Sequence, residues 1–135
     1  MQFEFLPHTA DAKFRAYGKT LEEKFANAAL AMFSIIVNTK EVEPKIKKQV
    51  KVEANDEKSL LYNWLEELLF LVDTQEFMLN NVENIKIEKK EKFILEATFV
   101  GDKYKEKYEI LGGIKAATYN EMEITDEYVQ VVVDI

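Results

Sequence analysis

The chain has 135 residues, 47% of them hydrophobic and 32% charged, with 25 acidic against 18 basic side chains and a formal charge of −7. That length fits one domain over residues 1–135 that buries roughly two thirds of its unfolded surface, and no apolar run approaches the roughly 20 residues needed to cross a bilayer. Zero cysteines exclude disulfides and thiolate metal sites, one histidine excludes a multi-histidine zinc site within the chain, and the acidic balance argues against direct nucleic-acid binding, which draws its affinity from neutralised phosphates.

The first residues, Met1-Gln2-Phe3-Glu4-Phe5, lack the basic-then-apolar pattern of a secretory signal, so a cytoplasmic location is expected. Period-two alternation predicts strands over 3–6 and 14–17. Thr20-x-x-Glu23 is a capping box that opens a helix, with an apolar stripe at Leu21, Phe25, Ala28, Met32 and Ile36. Lys45-Ile46-Lys47-Lys48 reads as a solvated strand edge, and Val50, Val52 and Ala54 alternate with Lys51 and Glu53. A second helix opens around Asn55 and Asp56. It places Leu60, Leu61, Trp64, Leu65, Leu68, Leu69 and Val72 on one side and Asn63, Glu66 and Glu67 on the other, which should bury Trp64 deeply. Strands are expected over 85–88, 93–99, 119–124 and 128–134, with a hairpin tip at 88–92 and a second turn at Gly101-Asp102. The fold class is therefore α+β: mostly antiparallel sheet or sheets with two amphipathic helices packed on one side.

Val129, Val131, Val133 and Ile135 share one strand face, which ties down the Asp134 side chain and the Ile135 terminal carboxylate. If the loop after Leu6-Pro7 brings Asp11 alongside, three carboxylates converge, and hard cations such as calcium or magnesium favour such oxygen donors. On pattern alone, Asp11 capping a turn beside a solvated Asp134 is the more common outcome. Lys115 is either an exposed lysine or an ammonium held partly desolvated beside those carboxylates. His8 as a lone imidazole is more often a satisfied structural group than a catalyst.

Three segments far apart, His8-Thr9-Ala10-Asp11, Gly113-Ile114-Lys115-Ala116-Ala117-Thr118-Tyr119-Asn120 and Val131-Val132-Val133-Asp134-Ile135, resemble the archease family. Thr20-Leu21-Glu22-Glu23 and the run Leu60-Leu61-x-x-Trp64-Leu65-x-Glu67-Leu68-Leu69 are similar to it as well, so the likeness covers nearly the whole chain. Archeases are small proteins that activate the RNA ligase which rejoins tRNA halves after intron removal. The resemblance implies a metal site at Asp11, Asp134 and Ile135, a functionally important Lys115, and a His8 that shapes the Asp11 loop. Calcium is the first choice of ion, with magnesium or manganese as alternatives. Two positions depart from the family pattern: Lys13 stands where glycine is usual, and Asn120 where histidine is common.

The function implied is non-enzymatic: promotion of guanylylation of the tRNA-splicing RNA ligase, with no direct nucleic-acid contact and no membrane association. A chaperone-like modulator of RNA-modifying enzymes, such as a tRNA methyltransferase, is the alternative from another class. A metal-dependent phosphate hydrolase is a weaker one, because the sequence offers no nucleophile elbow, phosphate-cradling loop or Cys/His pair.

Overall fold

The computed structural model describes residues 2–8 and 10–135; Thr9 of the first motif lies outside the described residues. In chain order the elements are β1 (Phe3–Leu6), β2 (Ala12–Tyr17), α1 (Leu21–Phe33), β3 (Ile46–Ala54), α2 (Glu57–Gln75), β4 (Phe77–Lys89), β5 (Phe93–Lys103), β6 (Ala116–Ala117), β7 (Glu123–Ile124) and β8 (Tyr128–Asp134), with a 3-10 turn at Thr39–Glu41. They form two antiparallel sheets. One runs β1-β2-β8-β6, with β7 also paired to β8, and the other runs β3-β5-β4.

Both helices start where their caps dictate. The Thr20 hydroxyl accepts from Glu23 N at 3.1 Å, and Asp56 Oδ1 accepts from Ser59 N at 2.8 Å, each satisfying an amide that the helix itself leaves unpaired. α1 ends at Phe33, so Ile36, the last residue of its predicted stripe, sits in the following turn and is still buried. α2 buries Leu60, Leu61, Trp64, Leu65, Leu68 and Leu69 as its periodicity requires. Each helix touches both sheets and the other helix. Trp64 is the largest side chain fully buried between them; its ring stacks on Phe99 of β5 at 4.6 Å, and its indole N–H donates to Phe25 O at 2.8 Å.

Three expectations change. Gly101-Asp102 is not a turn but part of β5, where Gly101 pairs with both Ile46 and Leu79. A side chain at Gly101 would drive into the Met78 carbonyl oxygen, so the glycine allows close approach of β4. β4 extends far beyond the predicted 85–88, back to Phe77. Register shifts between Leu79 and Asn81 and between Glu83 and Lys86 break its alternation, which hid it. Finally, 119–124 is mostly a turn, in which Met122 N donates to Tyr119 O, and only Glu123–Ile124 pairs as β7.

Candidate functional site

β8 lies between β2 and β6, and its last paired residues define one end of the five-stranded sheet. Ala12 is opposite Val133, so Asp11 and Asp134 each lie one residue beyond that pair, at the same end of the two strands. On the other side Ala116 is opposite Asp134, and Lys115 N donates to Asp134 O at 2.7 Å. The strand pleat puts Asp134, Val132 and Gln130 on the same face as Lys13 and Arg15, while Val129, Val131 and Val133 turn into the core with Phe14 and Ala16. Four sequence-predicted residues, Asp11, Lys115, Asp134 and Ile135, are thus gathered at one sheet end. The Lys115 side chain is exposed, so of its two readings the desolvated one is not found. Asp134 and Ile135 are exposed as well, whereas Asp11 retains 28% of its side-chain surface.

His8 Nε2 lies 3.0 Å from Glu121 Oε2, and its Nδ1 lies 4.0 Å from Asp11 Oδ2. Nδ1 is buried and meets no hydrogen-bond partner among the described residues. The other oxygen of Glu121 accepts from Lys13 Nζ at 3.0 Å. The Lys13 ammonium first, and then His8, hold the Glu121 carboxyl below the usual glutamate range. Glu121 escapes a sequence reading because it is 113 residues from His8 and no local pattern connects them.

The segment bearing Lys115 is also fastened from α2. Glu66 Oε2 accepts from Ala117 N at 2.9 Å, and Tyr62 stacks on Tyr119 at 4.6 Å with the rings 9° apart. Glu66 is therefore not the free outward residue that the helical wheel suggests. Asn63, expected on the same side, donates to Glu53 O at 3.0 Å.

Residues 3–135 match the profile of the Archease protein family (MTH1598/TM1083). The chain belongs to the archease family. It is 45% identical over 141 aligned residues to the protein archease of Methanosarcina barkeri, covering 99% of this chain and 96% of that one. Against the protein archease of Pyrococcus furiosus it is 44% identical over 125 residues, covering 91% and 87%. The solution structure of protein 1598 from Methanobacterium thermoautotrophicum superposes with a TM-score of 0.84 at 38% identity, over 99% of both chains. A crystal structure from Thermotoga maritima, described as an archease and possible chaperone, shares the fold at TM-score 0.61 and 18% identity, over 96% of this chain and 94% of the other. In agreement with the sequence, no helix among the described residues is long and apolar enough to cross a membrane.

Proposed function

We propose that this protein is a non-enzymatic, cation-binding activator of the cytoplasmic tRNA-splicing RNA ligase, promoting guanylylation of that enzyme and its multiple turnover in tRNA splicing. The observation that supports this reading is the pairing at the end of β8, where Ala12 is opposite Val133 and Ala116 is opposite Asp134, so that Asp11 and Lys115 each adjoin a strand flanking β8. The choice of partner rests on the resemblance of the sequence motifs to archeases.

The donor set suits a hard divalent cation, because only oxygens are on offer. Among the described residues no three His, Asp or Glu side chains are grouped as a ready ligand set. The cation would therefore be held by the Asp11 and Asp134 carboxylates together with main-chain oxygens of Ile135. Calcium fits the mixed carboxylate and main-chain set best, with magnesium or manganese as alternatives. When bound, the ion would offset the repulsion between the carboxylates and reduce the negative charge at the sheet end. The chain's own residues do the rest. β8 fixes Asp134, and Glu66 and Tyr62 fix the segment that places Lys115, an exposed ammonium able to reach a partner's acidic or phosphate group. Such a surface would lower the ligase's barrier by positioning and electrostatics.

The test is single-turnover guanylylation of the cognate ligase with and without this protein. Asp134→Ala and Lys115→Ala should lose most of the stimulation while their melting shifts by less than about 0.5 kcal/mol, since neither removes a buried side chain. Normal stimulation by Asp134→Ala at saturating metal would remove the acidic end from the mechanism. A second reading, a chaperone-like modulator of RNA-modifying enzymes such as a tRNA methyltransferase, would then stand on Ile110 and Leu111, which are 47% and 57% exposed. On that reading Leu111→Ser, not Asp134→Ala, abolishes the effect.

A further inference from the structure

Asp11 follows Ala10 between β1 and β2, and the backbone at Ala10 is not one that local preference favours. Ala10 has φ +69°, in the left-handed region where a residue with a Cβ is strained by about 1–3 kcal/mol. Something outside the loop must hold it.

The side-chain contacts identify the holder. Glu121 spans two residues that flank Asp11 in sequence, one carboxylate oxygen on His8 Nε2 and the other on Lys13 Nζ, both at 3.0 Å. Glu121 is itself fixed from below: its carbonyl accepts from the Gln130 side-chain amide at 2.8 Å, and the next residue, Met122, is buried. Gln130 belongs to β8, is 2% exposed, and accepts from Arg15 Nε at 2.9 Å. A continuous chain of contacts therefore runs from β8 through Gln130 to Glu121, and from Glu121 to both sides of Asp11. β8 also carries Asp134. One strand thus sets both carboxylates, Asp134 directly and Asp11 through Glu121.

We propose that Glu121 and Lys13 are positioning residues for the cation site: they clamp the Asp11 loop, by way of His8, against the strand that carries Asp134. Neither residue would serve as a ligand. The inference rests on the cation reading given above and adds to it the residues that fix the geometry.

A clamp and a simple electrostatic effect predict opposite signs for one variant. Lys13→Met keeps most of the aliphatic stem and removes a positive charge near the site, so through-space electrostatics alone would tighten cation binding. Loss of the clamp would weaken it. The experiment is calorimetric titration of the full chain with calcium, magnesium and manganese salts, each alone, for the wild type, Lys13→Met, Glu121→Ala and Asp134→Ala. Because the chain has one histidine, the His8 ring nitrogens give an unambiguous nuclear magnetic resonance signature in each protein. The clamp predicts that Lys13→Met and Glu121→Ala each weaken binding by about tenfold or more, in the range found when groups orienting a metal ligand are removed. Their His8 ring signals should shift, their melting should stay near the wild-type value, and Asp134→Ala should bind no ion. Unchanged or tighter binding by Lys13→Met, with Asp134→Ala inactive, overturns the clamp and leaves the cation site standing. A wild type that takes up none of the three ions, or an Asp134→Ala that binds like it, overturns both.

Discussion

The chain's single tryptophan and single histidine lie in regions held together by different physics. Around Trp64 the contacts are apolar and close-packed: Phe99 stacks on the indole, Phe25 supplies a carbonyl, and Leu60, Leu61, Leu65 and Leu68 complete a wall from which water is excluded. Around His8 the contacts are polar, partly exposed and drawn from sequence-distant segments, with Glu121 bridging the imidazole and Lys13. The first region sets how stable the molecule is, because burial scales with area and tolerates little loss. The second sets where charges stand, and losing one of its partly exposed members should leave the fold intact. Stability and activity should therefore separate by region, with fluorescence of Trp64 reporting the one and the His8 resonances the other.

The largest expected effect is at the tryptophan. Trp64→Ala should cost roughly 3–5 kcal/mol by emptying a fully buried site, measured by chemical denaturation. A loss below about 1 kcal/mol would mean that the helix-sheet interface repacks freely and the contrast drawn above is false. Next is Gly101→Ala, which forces a methyl against the Met78 carbonyl and should cost about 1–3 kcal/mol by overpacking. A neutral outcome there would show β4 and β5 sliding apart without penalty.

A polar site within the apolar region sharpens the comparison. Asp102 is 3% exposed and accepts from Lys105 Nζ at 2.7 Å and Tyr108 Oη–H at 2.6 Å. The Lys105 ammonium first, then the Tyr108 hydroxyl, hold its carboxyl below the ordinary aspartate range. A depressed folded-state value means that the ionised form is favoured by folding. Its contribution is thus present above the unfolded value of about 3.9 and is lost as pH falls through the lower folded one. Asp102→Asn should be less stable than wild type by about 1–3 kcal/mol at neutral pH, and the gap should close below about pH 4. A gap that is constant down to about pH 2 would mean that the charge contributes nothing.

The smallest effect is expected at Glu66. Glu66→Gln keeps an acceptor for Ala117 N and should alter stability by less than about 0.5 kcal/mol with ligase stimulation retained. Glu66→Ala removes the acceptor and should reduce stimulation while Trp64 fluorescence is unchanged. Equal stimulation by both variants would show that α2 does not position the Lys115 segment.

What could be read from the sequence follows the same division. Both helices were legible because capping at Thr20 and Asp56 and the 3.6-residue stripe are local properties, β3 because Val50, Val52 and Ala54 alternate with polar residues, and β8 because Val129, Val131 and Val133 share one face. Gly101-Asp102 was misread because the dipeptide is common in turns, whereas here glycine admits a neighbouring carbonyl and aspartate anchors a tyrosine. The start of β4 was hidden by its bulges and by Asn80 and Asn81. At the site, Asp11, Lys115 and Asp134 came from motif likeness, and their adjacency follows from strand pairing that composition does not encode. Glu121 had no sequence indication at all. Its role depends on a turn with φ +52° that folds it back over residues more than a hundred positions earlier.

The placement of β8 in the middle of its sheet bears on how the molecule is made. Residues 12–17 pair with residues 128–133, while the three-stranded sheet and α2 are completed within residues 46–103. A nascent chain that has emerged only through β5 can close the three-stranded sheet but leaves β2 without its inner neighbour, and Phe14 and Ala16 without the valines paired beside them. Closing so long a loop is entropically slow and brings its reward late. The three-stranded sheet and α2 can therefore assemble during synthesis, whereas Asp134 reaches its place only once β8 has been translated and has slotted between its neighbours.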